Sequence, residues 1–408
     1  MSVMTRADLS RWDARARRDA LGWMCTGDDD HVRDAWARAV WTMLAEPGDG
    51  VAGRLIAELG ADNALSLVAS AATAPTLPDG DASALLPADI AQGLARWRPR
   101  LSADAVRAVF HTGRAAGLTL VTPDDTGWPA RLADLAEHAP HALWVKGDAA
   151  WASSAAAIAL VGARAATGYG ENVALELASQ LAAHGVTVVS GAAFGIDGAA
   201  HRAALLAGGG TVAVLAGGAE KAYPSGHREL LRRVASAGAV VAEVAPGTAP
   251  TKWRFLARNR VIAALSDAVI VVEAGWRSGS LNTAGHAASL GRPLGAVPGP
   301  VTSAASAGCH RLLRDYDATC VTGIDDALEL IGARTRWGGS GADGGTDDRT
   351  RALDALSVRQ VRDVSEIARR AGMSETDAAA VLGLLELEGL AARDIRGWRR
   401  AAAGARAR

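Results

Sequence analysis

The chain has 408 residues, of which 49% are hydrophobic, so it is long enough to form two or three domains with substantial cores. Its formal net charge of −1 excludes a uniformly basic nucleic-acid-binding protein, and any DNA-binding surface must be a local patch. The 3 cysteines show neither a disulfide framework nor zinc-ligand spacing, which favours a reducing cytoplasm. The sequence shows no signal peptide and no apolar run that could span a membrane, so we expect no membrane contact.

The first part of the chain is predicted to be helical after a short tail. Residues 1–30 alternate arginine and aspartate with few apolar positions, which is typical of a flexible tail. Downstream, Trp36, Val40 and Leu44 recur at four-residue steps, as expected for one face of a helix. We therefore expect a flexible tail over residues 1–30 and an all-helical domain over residues 31–135.

The central part alternates short apolar runs with helical patterns, for example over residues 171–184 and 199–207. Strands that are separated by helices pair in parallel through right-handed crossovers, and a parallel sheet is buried on both faces. We therefore predict an α/β domain over residues 136–333. The predicted strands comprise residues 118–121, 142–145, 157–161, 186–190, 211–215, 239–242, 268–272, 294–297 and 319–321.

The C-terminal part is predicted to be a separate small domain. Glycine and aspartate dominate a flexible linker over residues 334–350. Residues 351–402 then show a helix, a turn at Gly372, a second helix and a short hairpin, the pattern of a winged-helix-like domain. The second helix is acidic, which favours an interaction or regulatory module over a reader of DNA grooves. Residues 403–408 form a basic tail.

The candidate binding residues lie in loops that follow predicted strands, where ligands bind in open parallel sheets. Gly162, Arg164, Thr167 and Gly168 join a strand to a helix, and the amides at such a junction form an anion site. The glycine spacing differs from the dinucleotide fingerprint, and the lysine of a Walker loop is missing. The alternative is a tight turn in which Arg164 is merely solvated.

The loop after the next strand contains Ser190, Gly191 and Gly195, and its glycines would allow a ligand to approach the backbone. Asp197 precedes a helix that bears His201. We expect structural roles here, in which Asp197 caps the helix and orients His201. No G-x-S-x-G elbow accompanies these residues, so a hydrolase triad is not expected.

A third strand-end loop contains Ser278, Gly279 and Ser280, whose hydroxyl and amide groups can donate to phosphate oxygens. Glu273 ends the preceding strand and is the carboxylate best placed for acid–base work. The interpretation we favour for Glu273 is structural, because a carboxylate at this position can order the loop or an arginine.

The densest basic segment of the central domain contains Lys252, Phe255, Arg258 and Arg260. Basic groups neutralise backbone phosphates, and an aromatic face can stack a base, so this combination suits single-stranded nucleic acid. The alternative is the start of a helix whose arginines pair with an acid such as Asp267.

These loops together resemble the DNA-processing protein A family, also known as DprA or Smf. Members carry the motifs G-S-R-x-x-T-x-Y-G, S-G-x-A-x-G-I-D-x-x-A-H, F-x-x-R-N-R-x-I and E-x-x-x-x-S-G-S-L-x-T-A. Closely similar sequences stand here at residues 162–170, 190–201, 255–262 and 273–284. The resemblance covers residues 160–331 and implies an extended Rossmann-like core. The helical segment resembles sterile-alpha-motif or helix-hairpin-helix modules only loosely.

The resemblance implies a cytoplasmic homodimer that binds single-stranded DNA without hydrolysing it and loads the recombinase RecA during natural transformation. It implies no cofactor. Ala163 replaces the usual serine, which removes a hydroxyl donor near the phosphate, and His310 replaces an asparagine near the region used for self-association. The residues expected to bind DNA are Gly162, Arg164, Thr167, Gly168, Ser190, Gly191, Gly195, Lys252, Phe255, Arg258, Asn259, Arg260, Ser278, Gly279 and Ser280.

Two other classes of protein are alternatives. A nucleotide-binding or nucleoside-phosphate-hydrolysing protein can use a related Rossmann-like core, as the cytokinin-activating phosphoribohydrolases do. Those enzymes carry a P-G-G-x-G-T-x-x-E loop, which residues 273–283 lack. A transcription factor could use the C-terminal helix-turn-helix, but its acidic second helix disfavours this. We therefore expect a recombination mediator.

Overall fold

The structure is a computed structural model that describes residues 3–70, 86–333, 348–358, 360–387 and 389–401. The chain divides into two compact units, Met1–Arg334 and Thr335–Arg408. Most of the predicted linker and the whole predicted basic tail lie outside the described residues. No helix among the described residues is long and apolar enough to cross a membrane.

The helices of the first unit begin at Arg6, which corrects the prediction of a flexible tail over residues 1–30. Leu21 and Met24 are completely buried in the hydrophobic core. The few apolar residues of this segment are sufficient because they pack against large aromatic rings, including Trp36 and Phe110. The N-terminal helices are α1 Arg6–Leu9, α2 Ala14–Leu21, α3 Asp29–Leu44, α4 Gly50–Leu59, α5 Ala61–Val68, α6 Pro87–Trp97 and α7 Ala103–Ala115.

A single nine-stranded sheet follows, in the order β1-β2-β6-β5-β4-β3-β7-β8-β9. Strands β3 to β9 run parallel, and β2 pairs antiparallel with both β1 and β6. This confirms the predicted α/β class. The strands are β1 Thr119–Val121, β2 Leu143–Gly147, β3 Ala157–Gly162, β4 Thr187–Ser190, β5 Thr211–Leu215, β6 Ala239–Ala242, β7 Ala268–Glu273, β8 Leu294–Ala296 and β9 Thr319–Cys320.

Helices connect successive parallel strands and cover the sheet. Every residue of β7 is buried, because a parallel strand is covered by helices on both faces. Each strand–helix junction lies at the carboxyl edge of the sheet, which brings the loops singled out in the sequence to one side. The helices are α8 Gly168–Ala183, α9 Ile196–Leu206, α10 Arg228–Ala237, α11 Lys252–Ala264, α12 Ser280–Ser289, α13 Ala307–Asp315 and α14 Ile324–Glu329.

The N-terminal helices and the sheet share one hydrophobic cluster. Trp36 and Trp41 of α3 belong to the same buried cluster as Trp144 of β2 and Leu215 of β5. The Trp144 indole donates a hydrogen bond to the Thr42 hydroxyl at 3.0 Å. Residues 31–135 and 136–333, predicted as separate domains, therefore lie in one compact unit.

The second unit contains a helix-turn-helix followed by a β-hairpin. Its helices are α15 Asp348–Ala355, α16 Val364–Ala371 and α17 Glu375–Leu387, and its hairpin pairs β10 Ala391–Asp394 with β11 Gly397–Arg400. The Ser374 hydroxyl accepts the Asp377 amide at the start of α17, as expected for a helix cap. The assignment of this unit as a winged-helix-like domain stays a prediction.

The buried position of Leu21 allows a direct test of the N-terminal helices. We expect Leu21→Ala to lower the free energy of unfolding by about 2–5 kcal/mol, because it leaves a cavity beside aromatic side chains. Urea denaturation followed by circular dichroism measures this change. The matched control is Leu206→Ala, since Leu206 is 75% exposed and its truncation should cost less than about 0.5 kcal/mol. Equal, small effects of the two substitutions would mean that residues 1–30 are a free tail.

Candidate nucleic-acid interface

The sequence-predicted loops surround a cavity of about 500 Å³ at the carboxyl ends of β3 and β7. We call it the strand-end cavity. Ligands bind at this edge of open α/β sheets because the loops there diverge from the sheet and leave a crevice. The predicted residues that line the cavity are Gly162, Arg164, Asp197, Phe255, Arg258, Asn259, Ser278, Gly279 and Ser280.

Arg258 is a buried cation that joins two strand ends. Its guanidinium donates hydrogen bonds to the carbonyl oxygens of Gly191, at 2.9 Å, and of Val214. Burial lowers the pKa of Arg258 to about 10, so the side chain keeps its charge at neutral pH. Gly191 permits this arrangement, because a Cβ atom there would lie 2.5 Å from a guanidinium nitrogen.

Asp197 supplies the opposite charge close to Arg258. Its carboxylate accepts the amides of Gly191 and Ala193, at 3.2 and 3.3 Å. Burial raises the pKa of Asp197, and the positive charge of Arg258 opposes that shift. The Gly191 amide is therefore already engaged within the protein and ties this loop to α9.

The roles predicted for Asp197 and His201 need correction. Asp197 is the second residue of α9, and the cap position belongs to Gly195, whose φ of 71° suits glycine. His201 donates from Nδ1 to the Thr211 hydroxyl at 2.8 Å. The sequence misleads here because Asp197 and His201 are one helical turn apart, yet Asp197 binds the preceding loop and His201 binds the neighbouring strand.

Glu273, the last residue of β7, binds the loop between β3 and α8. Its carboxylate accepts the Thr167 amide at 2.8 Å and the Thr167 hydroxyl at 2.6 Å. The same hydroxyl accepts the Gly170 amide at the start of α8. Ser190 is similarly engaged, since its buried hydroxyl donates to the Leu160 carbonyl at 2.7 Å. Neither Thr167 nor Ser190 lines the cavity.

The rim of the strand-end cavity carries exposed charges and aromatic rings. Arg164 is exposed, and its guanidinium lies 4.9 Å from the centre of the Phe255 ring. The Tyr223 ring lies 5.4 Å from Phe255. Arg277 is also exposed, and neither it nor Arg164 forms an ion pair within the described ranges. Sequence reasoning missed Arg277 and Tyr223, although Arg277 lies in the predicted loop beside Ser278.

The remaining basic residues of α11 have different environments. Lys252 is exposed and has no ion-pair partner in the part of the chain that the structure describes. Arg260 is buried, pairs with Glu243 at 2.8 Å and does not line the strand-end cavity, so its charge is not free for a phosphate there as the sequence had led us to expect. Arg254 forms a two-pronged ion pair with Glu46, at 2.9 and 3.0 Å. These two arginines therefore hold α11 in place.

The opposite wall of the strand-end cavity is the start of α12. Asn259 donates from its amide group to the Asn282 side chain at 3.1 Å, which ties α11 to α12. The hydroxyls of Ser278 and Ser280 lie 2.8 Å apart. Gly279 precedes the helix and has open space around it, so this backbone is accessible to a ligand.

A mostly parallel sheet whose strand-end loops enclose an arginine-rich cavity defines an α/β protein of the Rossmann-like type. The family model of DNA recombination-mediator protein A matches residues 119–332. The putative DNA processing protein DprA of Mycobacterium tuberculosis is 47% identical over 307 residues, which cover 71% of this chain and 78% of that protein. The chain belongs to the DNA recombination-mediator protein A family, a family of DNA-processing proteins known as DprA or Smf.

Other members extend this comparison. Protein Smf of Escherichia coli is 38% identical over 219 residues, which cover 53% of this chain and 58% of Smf. The X-ray structure of DprA from Streptococcus pneumoniae matches with a TM-score of 0.56 and 28% identity. That match covers 72% of this chain and 95% of the S. pneumoniae chain, so the likeness extends beyond the family-model region.

The close approach of Gly191 to Arg258 predicts a specific sensitivity to substitution. Gly191→Ala should displace the guanidinium and lower the free energy of unfolding by about 1–3 kcal/mol, as overpacking does elsewhere. Thermal unfolding measures the effect. The control is Gly279→Ala, because a Cβ atom at Gly279 would meet no heavy atom within 4 Å. Equal melting temperatures for the two variants would contradict the packing described for Arg258.

The buried His201 should make the folding stability of the protein partly sensitive to acid. Burial lowers the pKa of His201 to about 3 from an unperturbed 6.5. Between these two pH values the histidine is therefore protonated in the unfolded chain and neutral in the folded chain. Stability is therefore lost as the pH falls from 6.5 towards 3, by about 1.4 kcal/mol per pH unit from this group. We expect His201→Gln to show a shallower loss of stability between pH 7 and pH 5 in urea titrations. The exposed His184→Gln is the control, and parallel pH profiles for all three proteins would contradict the prediction.

Proposed function

We propose that this protein binds single-stranded DNA with the strand-end cavity and acts as a recombination mediator. The observation that carries the proposal is the pair of exposed, unpaired arginines, Arg164 and Arg277, at a cavity that also contains the Phe255 ring. Arginines attract phosphates, and an aromatic face stacks an unpaired base. Stacked base pairs of a duplex do not offer such a face, so the proposed ligand is a single strand.

The positions of the buried and the exposed donor groups suggest how a DNA strand would lie in the strand-end cavity. Arg258 supplies a fixed positive charge below it, and the accessible backbone at Gly279 can donate to a phosphate oxygen. Arg164 and Lys252 would neutralise neighbouring phosphates. None of these contacts reads a base edge, so the proposed binding has little sequence preference and weakens steeply with salt.

We also propose that binding occurs without hydrolysis. Asp197 is the carboxylate among the described lining residues; two backbone amides already bind it, and the positive charge of Arg258 acts on it. Glu273, the acid–base candidate from the sequence, accepts two hydrogen bonds from Thr167. Neither carboxylate is free to activate water, which disfavours the alternative of a nucleoside-phosphate hydrolase.

The proposed wider role is to load RecA onto incoming single strands during natural transformation, as a homodimer in the cytoplasm. The support is membership of a family described as recombination mediators. The rate of RecA assembly on a single strand, measured with and without this protein, tests that role separately from DNA binding.

Arg164 provides a quantitative test of the proposed interface. Arg164→Ala should weaken binding to an oligothymidylate and should reduce the slope of log affinity against log salt by about 0.7, the value for one lost phosphate contact on a single strand. Fluorescence anisotropy at several salt concentrations measures both quantities.

The control for that test is Arg107→Ala, because Arg107 is an exposed helical arginine that pairs with Asp104 and lies outside the cavity. Its salt slope should equal that of the unsubstituted protein. An unchanged slope for Arg164→Ala would mean that the strand-end cavity does not hold the phosphates.

A further inference from the structure

A second cavity, of about 490 Å³, lies on the other side of α11. We call it the Trp253 cleft. Its walls come from the loop between α3 and α4, from residues 134–138, and from α11 and α12. The lining is largely apolar and includes Leu135, Trp253, Leu256 and Leu290.

The two cavities share one helix as their dividing wall. Trp253, Leu256 and Arg260 face the cleft at spacings of three and four residues, as neighbours on one helical face do. Phe255 and Arg258 face the strand-end cavity. Leu256 lines both cavities, so the second begins where the first ends. A strand bound in the strand-end cavity would pass over Leu256 to reach the cleft.

The mouth of the cleft has the components of a base-stacking site. The Trp253 side chain is 61% exposed although it is one of the largest apolar groups of the chain. Lys252 immediately precedes Trp253 in α11 and is exposed outside the lining of the cleft, where it can meet a phosphate of a passing strand. The opposite wall is held in place, because His138 donates from Nδ1 to the Gly48 carbonyl at 2.9 Å. An aromatic platform beside a lysine is the combination that binds single strands.

The charges around the cleft do not oppose a nucleic acid. The Asp134 carboxylate is neutralised by Arg292 at 2.5 Å, and Arg260 is engaged by Glu243. Burial lowers the pKa of His286, which keeps its ring neutral and able to hydrogen-bond the edge of a base. The cleft therefore has a largely apolar lining, and its two charged lining residues, Asp134 and Arg260, each form an ion pair.

We propose that the Trp253 cleft receives a nucleobase of the same single strand whose phosphates occupy the strand-end cavity, with that base stacked on the Trp253 indole. This inference rests on the function proposed above and extends its site onto the N-terminal helical region. Pro47 and Gly48 of that region form one wall of the cleft. The helical region thereby acquires a part in DNA binding.

The test compares oligothymidylates of about 4 and about 12 nucleotides, with the full-length protein. We expect the short probe to be held by the strand-end cavity and only the long probe to place a base in the cleft while its phosphates fill that cavity. We expect Trp253→Ala to bind the long probe on the order of tenfold more weakly and the short probe unchanged. Trp253→Phe should restore most of the loss. Trp23→Ala is the control, because Trp23 is 55% exposed and lines neither cavity.

A second measurement does not depend on a variant. A long oligothymidylate with a photoreactive 5-iodouracil should crosslink to Trp253, as identified by mass spectrometry of the digested protein. Equal affinity of Trp253→Ala and the unsubstituted protein for the long probe, without a crosslink, would overturn the cleft proposal and leave the strand-end site standing. Failure of the unsubstituted protein to bind either probe would overturn both proposals.

Discussion

The burial of one permanent charge, that of Arg258, organises the carboxyl edge of the sheet. A buried guanidinium is costly unless its donors are satisfied and an opposite charge lies near. Here the carbonyl groups at the ends of β4 and β5 accept its hydrogen bonds, and Asp197 balances its charge. Asp197 in turn holds the amides of the loop after β4. Contacts within the protein thus hold the loop after β4 at the strand-end cavity.

This arrangement divides the arginines of the site into two groups. Arg254 and Arg260 form ion pairs with Glu46 and Glu243 that hold α11 against its surroundings. Arg164 and Arg277 are exposed and have no acidic partner in the described structure. Free cations held in place by the fold attract phosphates without reorganisation, which fits the proposed binding of single strands irrespective of their sequence.

The sequence predicted the sheet and the loop-ordering role of Glu273 well, but it did not predict the ion-pair partners of the arginines, for physical reasons. Parallel strands buried on both faces appear as apolar runs, so strands such as β5 and β6 were found with their observed bounds. Ion pairs form between residues that only folding brings together, so their partners cannot be read from local sequence. Glu46, for example, lies 208 residues before its partner Arg254. The N-terminal segment looked like a tail because its few apolar residues find aromatic partners only in the folded state, among them Trp36 and Phe110.

The most direct test of the central claim is the affinity of the full-length protein for a labelled single strand, measured in competition with a matched duplex, ATP, NAD and nucleoside monophosphates. We expect strong preference for the single strand and no displacement by the nucleotides, because the proposed contacts need successive phosphates and exposed bases. Displacement by a nucleotide at low concentration, or equal binding of the duplex, would contradict it and would favour a nucleotide-binding protein on the same fold.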